Sequence, residues 1–233
     1  MLFHGSPNAT CRSDIPKSNP YRPMNEMLRT YIEEQIIPRY DHFDAAHKRD
    51  HVRQVINESL RLARLHGLNE EMAYTIAAYH DTGLCFGREL HHLHAATILR
   101  EDRTLDRWFA AEQIALMAEA VEDHRASADH APRSIYGQVV AEADRTIDPE
   151  LILRRTVQYG MTHYPAFVRE EHYARFVGHL LEKYAEGGYL KLWIADPEKE
   201  ARLQQLRALI ANRDELRRRF DRLFNEESAS TAP

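Results

Sequence analysis

NEEMAYTIAAYHDTGL, residues 69–84, is the stretch on which the fold turns. Asn69 carries the short side-chain acceptor favoured at a helix N-cap. Met72, Ala73, Ile76, Ala77 and Tyr79 follow at helical spacing, and Thr82-Gly83 breaks the run. The segment reads as a buried helix that ends at the adjacent pair His80-Asp81. Neighbouring residues on a helix point about 100° apart. Both side chains serve one point only if it lies between their directions, as at a helix end, where a ligand is rigid and also reachable.

His51 precedes the pair, and His91, His124 and Asp144 follow it. His51, His80, Asp81 and Asp144 make a ligand set for one divalent ion. Adding His91 and His124 makes a set for two, because the carboxylate of Asp81 has two oxygens and can bridge. Imidazole with carboxylate suits Mn, Fe, Ni, Co, Zn or Mg rather than a thiolate-selecting site. Asp144 lies in an apolar run (Val139-Val140-Ala141, then Ile147). A buried carboxylate must be paired with something positive, and a metal is one answer.

Periodicity leaves rivals open. His47 and His51 share a helix face, as do His91 and His94, with His92 turned aside. His124 follows the apolar stripe Ile114, Met117, Val121, which brings its ring to the core edge. A lone helical histidine is more often a satisfied core or surface group than a ligand, and His172 and His179 stay in that class. His4, His42, His66 and His130 sit in polar sequence and read as surface residues. What sets the others apart is their order on successive helices.

The rest of the chain reads as helix as well. One run starts at Met24, carries Met27, Leu28, Tyr31, Ile32 and Ile36, and is closed by Pro38. Further helices are expected from about Ala45 to Gly67, Glu89 to Leu99, Ala111 to His124 and Ile135 to Asp144. Asp148-Pro149 is an N-cap with proline at the first helical position, and Asp196-Pro197 repeats the signal. Between them a helix covers about Arg169 to Ala185 and stops at Gly187-Gly188. One final helix carries Leu203, Leu206, Leu209, Ile210, Leu216, Phe220, Leu223 and Phe224 on one face. No strand alternation is visible. The expected architecture is an all-α bundle over residues 24–195, with a tail at 1–23 and a helical C-terminal extension at 196–233.

Composition agrees. Only 9 glycines in 233 residues, with 43% apolar and 29% charged content, fit a globular helical chain. Pro7, Pro16, Pro20 and Pro23 crowd a start too polar to order itself. The formal charge of −5 gives no global attraction to nucleic acid. Cys11 and Cys85 show no metal spacing or disulfide framework, which suits a reducing cytoplasm. No apolar run approaches the roughly 18 residues of a membrane span, and the start lacks the order of a secretory signal.

Residues 44–148 resemble the HD superfamily of metal-dependent phosphohydrolases. The matching pieces are DAAHKRDHVRQV around His51, AAYHDTGL around His80-Asp81 and VVAEADRTID around Asp144. The resemblance implies a helical bundle around a metal centre, with His51, His80, Asp81 and Asp144 on the first ion. HHLHAATIL and AVEDHRAS resemble the elements that supply His91 and His124 to a second ion. Residues 156–193 resemble a feature of a bacterial HD subgroup.

The chemistry expected is hydrolysis of a phosphate ester or anhydride of a small phosphorylated substrate, a nucleotide among the candidates. Arg88, Arg125 and Arg145 adjoin the ligand segments and are candidates to hold phosphate oxygens. Asp81 is a candidate catalytic residue through the metal, and Glu89, Glu122, His92 and His94 are candidates for proton transfer. His163, Lys183, Tyr184, Tyr189, Lys191 and Trp193 could wall a nucleotide, although packing of the extension is the simpler use of these aromatics. A di-iron oxygenase on the same ligands, or a regulatory module that keeps its metal for structure alone, are the alternatives. The last helix could be a homodimer seam, with Arg217–Arg222 as a solvated face.

Overall fold

The structure is a computed structural model and describes residues 23–44, 47–128 and 130–230; the proline-rich start lies outside them, apart from Pro23. Ten α-helices and no strand form the fold among these residues. α1 (Glu26–Tyr31) is capped by Asn25, whose side chain accepts from the Met27 and Leu28 N–H groups. The chain does not stop at Pro38. It passes through a π-helical turn (Ile32–Ile36) into a 3₁₀ segment (Ile37–His42) with Pro38 in its first turn. Proline is tolerated there because its missing N–H would have no partner anyway. The consequence is a fully buried Tyr40.

α2 (Arg49–Leu65) starts four residues later than its periodicity suggests and buries Val52, Val55, Ile56, Ser59, Leu62 and Ala63 along one face. α3 (Glu70–Tyr79) is capped by Asn69 and buried on every side from Met72 onwards, so it is the central helix. α4 (His91–Glu101), α5 (Ala111–Glu122) and α6 (Ile135–Asp144) complete the layer around it. α3 packs on α2, α5 and α6, while α4 lies against α5 and the 3₁₀ segment Thr82–Phe86. Their apolar faces form one core that runs from Leu28 to Ala143. Asp102 accepts from the hydroxyls of Tyr31 and Tyr79, both at 2.5 Å.

A second core begins at Ile147. It is built by α7 (Pro149–His163), α8 (Arg169–Tyr184), α9 (Pro197–Ala211) and α10 (Arg213–Ser230). The single terminal helix expected from the sequence is two. Asn212 leaves helical geometry at φ −86° and ψ 90°, and its side chain accepts from the Glu215 N–H at 3.1 Å. The break folds Leu203, Leu206 and Ile210 back beside Leu216, Phe220 and Leu223. The apolar face of α10 is thus consumed inside the chain, not left as a seam for a second copy.

The arginines of α10 are also committed. Arg217 pairs with Glu170 at 2.6 Å, Arg219 and Arg222 reach Glu150 at 3.1 and 2.6 Å, and Arg154 reaches Glu226 and Glu227 at 2.7 Å. Exposed pairs are worth at most about 1 kcal/mol each. Their use is to set the register of α10 on α7 and α8, while Phe176 and Phe220, ring centroids 5.2 Å apart, carry the burial. No helix among the described residues is long and apolar enough to cross a membrane.

Gly83 is where the ligand end of α3 meets α4. A Cβ there would lie 2.0 Å from the His91 carbonyl oxygen and 2.5 Å from the Ala95 nitrogen, both backbone atoms. Gly83→Ala is therefore expected to lower unfolding free energy by at least about 2 kcal/mol in urea titration. A variant as stable as the parent would contradict this packing.

Candidate metal centre

The last turn of α3 leaves carbonyls without helical partners, as every helix end does. Three successive ones are taken by side chains. The Ala77 carbonyl lies 2.7 Å from His80 Nδ1, the Ala78 carbonyl accepts from the Tyr40 hydroxyl at 2.9 Å, and the Tyr79 carbonyl accepts from Thr82 Oγ1 at 2.8 Å. The Tyr40 oxygen also accepts from the Asp81 N–H at 3.3 Å. His80 and Asp81 are fixed by these bonds before any ligand is considered. Burial, and then the Asp81 charge, push the Tyr40 hydroxyl well above its ordinary pKa, so it remains a donor.

His51 Nε2 on α2 lies 3.3 Å from His80 Nε2, 3.5 Å from Asp81 Oδ2 and 3.2 Å from Asp144 Oδ1 on α6. His80 Nε2 lies 3.2 Å from Asp81 Oδ2 and 3.8 Å from Asp144 Oδ1. Donors held about 2.1 Å from one ion stand about 3.0 Å apart at right angles and about 3.4 Å apart at the tetrahedral angle. His51, His80 and Asp81 are spaced as ligands of a single ion, and Asp144 Oδ1 stands beside the two imidazoles.

The other oxygen of Asp81 faces a second set. Asp81 Oδ1 lies 3.4 Å from His91 Nε2 and 3.6 Å from His124 Nε2, and these two nitrogens are 3.2 Å apart. His124, just past the end of α5, and His91, at the start of α4, repeat the device of His80. Their Nδ1 atoms lie 2.6 Å from the Val121 carbonyl and 2.7 Å from the Arg88 carbonyl. An Nδ1–H that donates to a carbonyl leaves Nε2 as a lone pair. Two such lone pairs facing each other at 3.2 Å need a cation between them. The donor chemistry thus fits a divalent ion at each set, with Asp81 shared.

Charge tells the same story. Burial opposes a charged His51, but the Asp144 and Asp81 carboxylates outweigh it and raise its pKa to about 9. Burial likewise opposes the ionised carboxylates of Asp81 and Asp144, yet the surrounding imidazoles hold both below the usual range. Within the second set burial and the neighbouring His124 push His91 down to about 4, whereas Asp81 raises His124 against its burial. The positive charge on His51 thus stands where an ion would replace it.

The open alternatives are resolved by position. His47 turns to Asp44 at 2.7 Å, and His94 packs on Phe86 with ring centroids 5.1 Å apart, so neither joins the cluster. Glu122 is tied to Arg133 at 2.7 Å and Arg100 at 3.3 Å, which makes it an ion-pair member and not a free acid. His92 has a buried Nδ1 without a hydrogen-bond partner among the described residues, and its ring lies 5.6 Å from that of His91. Glu89 is exposed, and its carbonyl accepts from Arg125 Nη1 at 2.5 Å. Arg88 is exposed beside Asp44, and Arg145 is buried. His163 stacks on Tyr159 at 3.9 Å, and Tyr184 belongs to the second core. Tyr40 was not singled out in the sequence, because a buried hydroxyl on another segment has no periodic signature.

Five successive helices thus bring four imidazoles and two carboxylates to one buried point, the arrangement of a helical His/Asp metal-site protein. Residues 49–147 match the family model of the HD domain, so this segment of the chain is an HD domain. No curated protein and no solved structure matches the chain.

Tyr40→Phe should cost about 1–3 kcal/mol in urea unfolding, because it strands the Ala78 carbonyl and loosens the Asp81 N–H. It should also weaken metal binding, although Tyr40 is not itself a ligand. His51 supplies a pH test. Its raised pKa stabilises the chelated protein fully below about 6.5, and that stabilisation is lost as pH rises through about 9. An ion needs the neutral ring, so calorimetric titration of Mn²⁺ at pH 7.5 should release at least about one proton per chain. Binding with no proton release would contradict the protonated His51.

Proposed function

We propose that the chain is a divalent-metal-dependent hydrolase of a phosphate ester or anhydride. The observation that carries the reading is the shared Asp81, whose two oxygens face His51 and His80 on one side and His91 and His124 on the other. His51, His80, Asp81 and Asp144 would hold one ion, and Asp81, His91 and His124 a second. A divalent ion in such a set supplies Lewis acidity, which makes water more acidic and neutralises phosphoryl oxygens. The HD-domain match supports the same class of chemistry.

The protein's own residues have separable tasks. The carbonyl-bound Nδ1 atoms of His80, His91 and His124 keep every Nε2 aimed inward. Arg125, anchored on the Glu89 carbonyl, would orient a phosphate oxygen. Burial and the nearby His124 and Arg125 hold His92 below the ordinary histidine pKa, so it is neutral near pH 7 and can accept a proton. Glu89 is solvent-facing and suits proton exchange with water. A small phosphorylated substrate, a nucleotide among the candidates, fits this chemistry.

The paired ligand sets also favour a second reading, oxidation at two irons. Oxygen uptake by iron-loaded protein without phosphate release would select it.

The test is reconstitution with Mn²⁺, followed by metal analysis and a screen of nucleoside mono-, di- and triphosphates with phosphate and pyrophosphate read separately. Two ions per chain are expected for the parent, one for His124→Ala and neither for Asp81→Ala. Turnover should vanish in the Asp81 variant. Full hydrolysis by a well-folded Asp81→Ala protein, or none by the two-ion parent, would sink the proposal.

A further inference from the structure

Besides the metal centre, α2 and the end of α6 wall a second space. A cavity of about 780 Å³ lies between α2, the α6–α7 link and α9. That is the size of a small-molecule site. Asp50, Gln54 and Asn57 of α2, Arg145 and Thr146 of the link, and Lys199 of α9 line it. His51 and Asp144 do not, so the space is separate from the centre although the same two segments serve both.

Arg145 is the part of this wall that the chain itself leaves unserved. It is 6% exposed, and its Nε and Nη1 are sealed from solvent without a hydrogen-bond partner among the described residues. The two acids nearest in sequence are taken. Asp144 Oδ1 faces His51 at 3.2 Å, and the Glu142 carboxylate pairs with Lys199 at 3.1 Å and accepts from the Trp193 N–H at 2.8 Å. A guanidinium does not shed its proton in a protein, so a buried one without an acceptor is costly. An anion in the cavity that Arg145 lines would supply the acceptor.

The other cations of the wall are matched within the chain. Arg61 pairs with Glu58 at 2.8 Å and Asp196 at 2.9 Å, Arg202 with Glu198 at 2.7 Å, and Arg53 with Glu33 at 2.8 Å. The wall therefore offers one unspent buried positive charge, which limits a ligand to one anionic group. The backbone holds that charge in place. Arg145 leaves helical geometry at φ −86° and ψ 89°, and its N–H donates to the Glu142 carbonyl at 3.2 Å. Thr146 Oγ1 accepts from Gln54 Nε2 at 2.8 Å, which ties the link to α2 and leaves the Thr146 O–H to donate.

We infer that this cavity binds a small molecule carrying one oxyanion group, a phosphate or a carboxylate, with Arg145 as its anchor. The guanidinium and the Thr146 hydroxyl donate to the oxyanion. The site lies outside the metal centre, and its ligand does not depend on what the centre hydrolyses.

The experiment is calorimetric titration of inorganic phosphate, and in a second arm of acetate, into the full chain stripped of metal by a chelator. Stripping removes any phosphate site that a bound ion would create. Binding of phosphate alone assigns a phosphate ligand, and binding of acetate alone a carboxylate. Arg145→Met should weaken the probe that binds about tenfold to a hundredfold, the range for a charge-assisted hydrogen bond. Arg145→Gln replaces the Met variant if that one fails to fold, and Thr146→Val should cost about twofold to tenfold. Binding of neither probe, unchanged affinity in Arg145→Met or Arg145→Gln, or phosphate binding that appears only after Mn²⁺ is added overturns the inference. Arg145-dependent binding in a protein that cleaves no ester would leave it standing and remove the hydrolase.

Discussion

The centre depends on how α3 ends. A helix that stops inside a core has to find partners for its last carbonyls, and α3 finds them in His80, Tyr40 and Thr82. Stability and ligand geometry are therefore one set of bonds. The same contact that satisfies the Ala77 carbonyl orients the His80 ring, and the same hydroxyl that satisfies Ala78 accepts from the Asp81 backbone. His124 repeats the device at the end of α5, where the Val121 carbonyl is one of the orphans. A metal centre built this way needs few dedicated supports, because the helix ends supply them.

Around this end the bundle has little freedom. Gly83 admits α4 to backbone contact, which sets the distance from His91 to Asp81. Asp102 holds Tyr79, so the residue before His80 is anchored as well. The second core is joined to the first through the α6–α7 connection, with Arg145 and Thr146 between Asp144 and Ile147. Glu142 adds a further tie, since its carboxylate accepts from the Trp193 N–H at 2.8 Å and pairs with Lys199 at 3.1 Å.

Much of this was legible in the sequence. The N-caps Asn69, Asp148 and Asp196 act locally and stand where they were expected. The order His51, His80-Asp81, Asp144 could be read because it falls on successive helices, and His80-Asp81 and Asp144 each adjoin an apolar run. What could not be read was set by contacts distant in sequence. Pro38 obeys a local rule that permits both a stop and a first turn. The apolar stripe continues across Asn212 without Gly or Pro, so only the packing of α9 against α10 reveals the break. His91 and His94 share a face, and three-residue spacing cannot say which one meets Asp81. The arginines of α10 do form an exposed face, but their ion pairs could not be read because Glu150 and Glu170 lie far back along the chain.

The division of Asp81 between two ligand sets makes the centre a single thermodynamic unit. Whatever one ion does to the rotamer and charge of that carboxylate is felt by the other, equally in both directions. Stepwise constants for loading such a pair belong to the pair and to neither position alone. With both sets loaded, the occupancy of one position would thus govern how readily the other is taken up.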